Sequence, residues 1–352
     1  MGTIEAKLDD ILAHPLREAL NGAGALGYVG LDIPADLLAV PGKVSCHLPW
    51  RRRIRTPGAD QWLESSFPGW ARSMLEDWAA GEFDCFAAVV FSRGDDAAQR
   101  LYYYLCELQR RGRLGGPRPL VFDIAKIPRE SSRRHTESAL RRLMEQLGLE
   151  ERDLADGTRR ANEIRKLMKQ LQRSRSGPGR VYEKLVRASL FVDIGSIAES
   201  WSQESPQENE RTVVLVGSAP PDGALHLAVE RAGWTVVEEL YDRCMRRFGE
   251  VVSPAAPADA VTSVVTQWLE GQSGKRAFRD PSESIRSTLR ARKVTAAVLW
   301  YAREDEALAW QVPAQHAALT SAGIPTLVMT ARSWALDDGA TAEVDEFLRR
   351  LG

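Results

Sequence analysis

Residues Phe86–Leu105 read FAAVVFSRGDDAAQRLYYYL: an unbroken apolar run, a polar loop SRGDD (Ser92–Asp96), then an aromatic helical stretch. A strand buried on both faces is written as a continuous hydrophobic run rather than as an alternation of apolar and polar residues. Phe86–Phe91 is therefore expected to be an inner strand of a parallel sheet. The SRGDD loop falls at its carboxyl end, where open α/β sheets place their chemistry.

The pattern recurs in two groups. Leu26–Pro34, Lys43–Leu48, Cys85–Phe91 and Pro119–Ile124 form the first; Arg211–Ser218, Trp234–Leu240, Thr295–Tyr301 and Ile324–Thr330 form the second. Short apolar runs alternating with helical patterns predict an α/β fold. Here they predict two Rossmann-like or flavodoxin-like lobes with parallel sheets, joined by a helical linker. No residue-level repeat relates the two groups. Between them, Ser131–Ile197 carries apolar residues at helical spacing (Leu140, Leu143, Leu147; Ile164, Leu167, Leu171), broken by SRSGPG at Ser174–Gly179. The polar segment Ser200–Arg211 marks the clearest boundary. The expected division is an N-terminal lobe over 1–130, a helical linker over 131–200 and a C-terminal lobe over 211–352.

The 352 residues, 44% hydrophobic and 27% charged, supply core material for two domains and exclude a disordered chain. Lys+Arg 47 against Asp+Glu 48 gives a net charge of -1, so no global field draws the protein to nucleic acid or to an anionic membrane. Four cysteines (Cys46, Cys85, Cys106, Cys244) form no CxxC pair, which argues against a zinc site or a secreted disulfide framework. No apolar stretch reaches the roughly 18–20 residues that span a bilayer, and the first thirty residues lack a signal-peptide pattern. A soluble cytoplasmic protein is expected.

Polar residues at the strand ends are Asp32, Ser92–Asp96, Asp123, Gly217, Ser218, Tyr241, Asp242 and Arg303–Glu306. If the lobes face each other, these line a cleft; each Asp or Ser serves equally well as a helix N-cap. Gly217–Ser218 is placed to cradle a phosphate through backbone N–H groups, although GxGxxG and GxxxxGKS are both absent. GxSxG is also absent. The five histidines (His14, His47, His135, His226, His316) share no spacing with a nucleophile or metal ligand and read as solvated or capping residues.

An apolar strand, a short polar loop ending in Cys-Asp and a helix close to RRLYEYL are together a feature of the 2-hydroxyacyl-CoA dehydratase and benzoyl-CoA reductase subunits, and Phe86–Leu105 resembles it. Further segments resemble that family in order: Gly27–Gly42, Phe122–Ser132, the Asn-x-x-Arg helix within Thr158–Val181, Thr212–Val237 and Val312–Met329. Together they cover nearly the whole chain. The resemblance implies a bilobed fold, assembly from two homologous chains, and three cysteines per competent subunit holding a four-iron four-sulfur cluster between the lobes. Here the three positions fall at Phe67 (beside Ser66), at Asp95, and at Glu304 or Asp305, while a fourth family cysteine falls at Gly30. Phenylalanine and carboxylates are not soft thiolate ligands, so no metal or cluster is expected in this chain.

Set against the resemblance, the expected function is that of a cluster-free subunit. It would pair with a homologous cluster-bearing subunit, or with itself, and help to bind an acyl-CoA-like molecule; any lyase-like or reductase-like turnover would belong to the complex. The alternatives are a repurposed non-redox enzyme and a scaffold or binding protein. Asp95, Asp96, Glu304 and Asp305 are the candidate catalytic carboxylates. Tyr28, Asp32, Ser92, Arg93, Gly217, Ser218 and Arg303 are the candidate substrate-binding residues. Arg93 and Arg303 are also placed to neutralise the carboxylates across the cleft. The basic run Trp50–Arg55 suits the phosphates of coenzyme A or a solvated loop. Trp50, Trp62, Trp70 and Trp78 suit an acyl pocket, an interface or core packing.

Overall fold

A computed structural model describes residues 2–22, 24–52, 55–175, 177–193, 195, 197, 210–253, 257–271 and 280–352. All eight apolar runs are strands. β1 (Ala25–Val29), β2 (Ser45–His47), β3 (Phe86–Ser92) and β4 (Arg118–Phe122) form one sheet in the order β2-β1-β3-β4. β5 (Thr212–Gly217), β6 (Thr235–Leu240), β7 (Ala296–Ala302) and β8 (Thr326–Arg332) form the other in the order β6-β5-β7-β8. Every pairing is parallel. In both sheets the strand order reverses beside the first strand, so each has its switch point between its first and third strands, β1/β3 and β5/β7. The protein is thus an α/β fold of two parallel lobes.

Burial explains the apolar writing. β5 and β7 are buried at every position, and β3 at all but Ala87. The helices Glu130–Gln146, Glu151–Arg173 and Gly179–Ala188 occupy the stretch with helical spacing, and the chain leaves the helix after Arg173, at the SRSGPG break. Gly179 is required there, because a Cβ would stand 2.8 Å from the Val236 carbonyl oxygen. Of the polar boundary Ser200–Arg211, residues 200–209 lie outside the described residues, as do Arg53 and Ile54 of the basic run and Ser176 of the break.

The halves of the chain interlock. The helix Ala260–Gly271, which follows β6, places Val261, Val264 and Val265 in one core with Val90, Leu120 and Leu140 of the first half. The N-terminal helix Gly2–Ala13 packs Ile4 and Leu8 against Val181 and Leu185. The long helix Glu151–Arg173 ties both sheets together. Its Arg165 is paired with Asp36 after β1, and Asn162 donates to the Val252 carbonyl at 2.8 Å and accepts the Val252 N–H at 2.9 Å. Just beyond the helix, Arg175 grips Glu239 on β6 through bonds of 2.7 and 2.5 Å. Among the described residues no helix is long and apolar enough to cross a membrane.

Candidate functional site

The carboxyl ends of both sheets converge on a cavity of about 100 Å³. The first sheet contributes Gly30 and Asp32 after β1, His47 at the end of β2 and Asp95 after β3. The second contributes Ala219 after β5, Asp242 and Arg243 after β6, and Glu304 and Asp305 after β7. Trp50, Trp70 and Trp334 complete the wall.

The SRGDD loop sets the floor. Ser92 is fully buried and its Oγ accepts the Gly94 N–H at 3.0 Å, which folds the loop back on itself. Gly94 lies so close to Asp32 that a Cβ would meet the carboxylate Oδ2 at 2.0 Å. Asp32 accepts from Lys126 Nζ at 2.6 Å, with both side chains withdrawn from water. Burial pushes the Asp32 carboxyl above its ordinary range, against the pull of Lys126 and with added repulsion from Asp95 and Asp242. Asp95 caps the helix Asp96–Arg110, its carboxylate accepting the Ala98 N–H at 2.9 Å. The cap and cleft readings of Asp95 are thus both realised in one side chain.

The opposite wall is aromatic and basic. His47 is buried, and its Nδ1 donates to the Leu48 carbonyl at 2.7 Å, leaving Nε2 as the lone-pair nitrogen. It meets Tyr28 and Trp50 edge-on at 5.0 and 5.5 Å. Burial holds its imidazole down at about 3, against the bond to Leu48 and with repulsion from Arg243 and Arg247. The Arg243 guanidinium stands 4.3 Å over the Trp50 ring.

Several expected residues lie elsewhere. Asp96 is the exposed first residue of its helix and does not line the cleft. Arg93 turns outward to Asp123 at 2.6 Å, and exposed Arg303 is not in the lining, so neither bridges the carboxylates across the cleft. Ser218 spends its N–H on the Trp300 carbonyl at 2.9 Å, and its Oγ accepts the Ala302 N–H at 2.9 Å. Gly217, at φ +123°, allows this close approach of β5 to β7, since a Cβ would stand 2.1 Å from the Trp300 oxygen. The pair therefore splices two strands, with the Ser218 amide already taken. Tyr28 is buried with its hydroxyl donating to the Leu190 carbonyl at 3.3 Å, and it borders a separate cavity of about 360 Å³ on the far side of β1 and β2.

Residues passed over in the sequence stand in the cleft. His47 and His226 are buried, not solvated. Both His47 and Arg243 follow the strand-end rule that singled out Asp32 and Asp242. Within the basic run, Trp50 Nε1 donates to the Pro221 carbonyl at 3.0 Å and Arg52 pairs with Asp222 at 2.8 Å, latching the first sheet to the loop after β5. Arg51 pairs with Asp77 at 3.2 Å. Trp78 belongs to the core, while Trp50 and Trp70 face the cleft.

The donors present do not fit a thiolate-held cluster. The cleft lining contains no cysteine. Cys46 and Cys244 are buried in their lobes, and burial pushes the Cys244 thiol up to about 12, away from the thiolate form that binds iron. Phe67, at the first family cysteine position, fills the first lobe's core, with Tyr104 5.3 Å edge-on and Arg100 4.1 Å over its ring. Its burial contributes about 1.5–3 kcal/mol, the role of a core anchor. Among the described residues no group of three or more His, Cys, Asp or Glu is arranged to hold a metal ion.

No curated protein matches the sequence. The family model described as 2-hydroxyglutaryl-CoA dehydratase, D-component, matches residues 31–348, which takes in seven of the eight strands and every residue of the cleft lining except Val29 and Gly30. With two parallel lobes meeting at their strand ends, the chain belongs to the 2-hydroxyglutaryl-CoA dehydratase D-component family.

Proposed function

We propose that the chain is a cluster-free subunit of a dehydratase-like assembly. It pairs with a homologous subunit carrying the four-iron four-sulfur cluster, and its cleft helps to hold an acyl-CoA or related substrate. The observation that carries this reading is the mismatch at the cleft. The strand ends converge as a ligand site requires, while Phe67, Asp95, Glu304 and Asp305 stand where the family resemblance places thiolates. The family description, which names a component, supports an assembly of unlike parts. The test is co-expression with the homologue encoded beside it, followed by size-exclusion chromatography and by iron and acid-labile sulfide analysis under anoxic conditions. A heterodimer with iron confined to the partner is expected. Iron and sulfide in the lone chain, or two chains that elute apart, would overturn the reading.

A second reading is favoured by Asp95, Glu304 and Asp305 lining one cavity: acid–base chemistry without electron transfer. Asn at position 95 preserves the helix cap, so Asp95→Asn separates the two roles of that residue. Unchanged turnover in both Asp95→Asn and Asp305→Asn would sink it.

A further inference from the structure

The interior arginines Arg165 and Arg175 are each held by a carboxylate through two hydrogen bonds. Arg243 is different. Among the described residues its guanidinium makes neither a hydrogen bond nor an ion pair; its close contact is the Trp50 ring, and its Nη2 is buried without a partner. Glu183, one of the two carboxylates that attract it, is taken by Arg187 at 2.9 Å. Burial pulls Arg243 below the ordinary guanidinium range. A desolvated charge without a counter-charge is costly to keep, and this one borders the cleft.

The remaining charges of the lining specify what completes it. Lys126 neutralises Asp32, which leaves Asp95, Asp242, Glu304 and Asp305 facing Arg243 alone. A simple anion that satisfied Arg243 would be repelled by those carboxylates. A simple cation would have Arg243 against it. Resting on the cleft half of the proposed function, we propose that the cleft binds a small zwitterion of the amino-acid type, its carboxylate on Arg243 and its ammonium among Asp95, Glu304 and Asp305. Arginine suits the first task because the planar fork, stacked on Trp50, can offer paired N–H groups to a carboxylate. The cavity of about 100 Å³ suits a molecule of this size.

The experiment is a thermal-shift screen of the purified full chain against the twenty proteinogenic amino acids. For each hit, the matching carboxylic acid without the amine and the matching amine without the carboxylate are run alongside. At least one amino acid is expected to raise the melting temperature by roughly 2–4 °C near saturation, with each half-molecule giving under a third of that. Arg243→Met keeps an apolar stem on Trp50 and removes the uncompensated charge. It should abolish the shift while leaving the ligand-free melting temperature equal or higher. No shift with any amino acid, an equal shift with a half-molecule, a shift that survives in Arg243→Met, or a lower ligand-free melting temperature in that variant would each overturn the proposal. The readout uses the lone chain, so a missing heterodimer leaves it standing, and a missing amino-acid shift leaves the heterodimer standing.

Discussion

Arg165 and Asp36 meet across the interior through two parallel hydrogen bonds of 2.9 and 2.6 Å, with their side chains 2% and 0% exposed. Arg165 also donates from Nε to the Phe248 carbonyl at 2.9 Å and from Nη1 to Asn162 Oδ1 at 3.0 Å. One guanidinium therefore joins the segment after β1, the long helix and the segment after β6. The Asn-x-x-Arg signature of the sequence is this clamp. Removing one partner strands the other charge out of water, so Arg165→Met or Asp36→Leu is expected to cost about 3–5 kcal/mol in urea unfolding. The double variant Arg165→Met/Asp36→Leu should recover much of that loss. Simple additivity of the two costs would show that the pair is not the unit.

Glu239 on β6 is held by Arg175 and, at 3.0 Å, by His226 Nε2. Burial alone would raise its carboxyl; Arg175 and His226 overcome it and hold it at about 2. A folded value below the unfolded 4.5 means that the unfolded chain takes up the proton first on acidification. The pair's stabilisation, on the order of 3 kcal/mol, is thus complete above about pH 4.5 and is lost as pH falls toward 2. The unfolding free energy of the wild type should exceed that of Glu239→Gln at pH 7, and the gap should close across that window. A gap independent of pH would remove the ionic part of the argument.

His47 gives a second titration with a different reach. Its folded value of about 3 lies far below the ordinary 6.5, so the unfolded state binds a proton that the folded state refuses. Stability should therefore fall as pH drops from about 6.5 toward 3, and His47→Gln should flatten that part of the profile. Nuclear magnetic resonance titration should find the His47 ring neutral, with its proton on Nδ1, throughout pH 5–8. Protonation near pH 6.5 would mean that the ring is wetter than its burial implies.

The eight strands were legible because parallel strands buried on both faces leave continuous apolar runs, as in CFAAVVF and TVVLVG. The cleft was legible in part. The strand-end rule found Asp32, Asp95, Asp242, Glu304 and Asp305, because position along a strand is a sequence property. It could not tell which neighbours turn inward: Asp95 lines the cavity while Asp96, one residue on, faces water. His47 was passed over because a single histidine carries no spacing, and its burial depends on Tyr28 and Trp50, which only the tertiary fold brings beside it. The return of the helix Ala260–Gly271 to the first sheet was likewise invisible, since an amphipathic helix does not name the surface it covers.

Gly94 and Asp32 are coupled by space. A Cβ at position 94 would sit 2.0 Å from Asp32 Oδ2, and Asp32 is pinned by Lys126 at 2.6 Å, so neither side can yield cheaply. Gly94→Ala should therefore destabilise the protein by about 1–3 kcal/mol, the range for overpacking a filled interior. In an Asp32→Ala background the obstructing carboxylate is gone, and the added cost of Gly94→Ala should shrink to a few tenths of a kcal/mol. The double-mutant cycle, read by chemical denaturation, isolates this contact. A cost for Gly94→Ala that is the same in both backgrounds would place its effect in the loop backbone and not in the contact that builds the floor of the cleft.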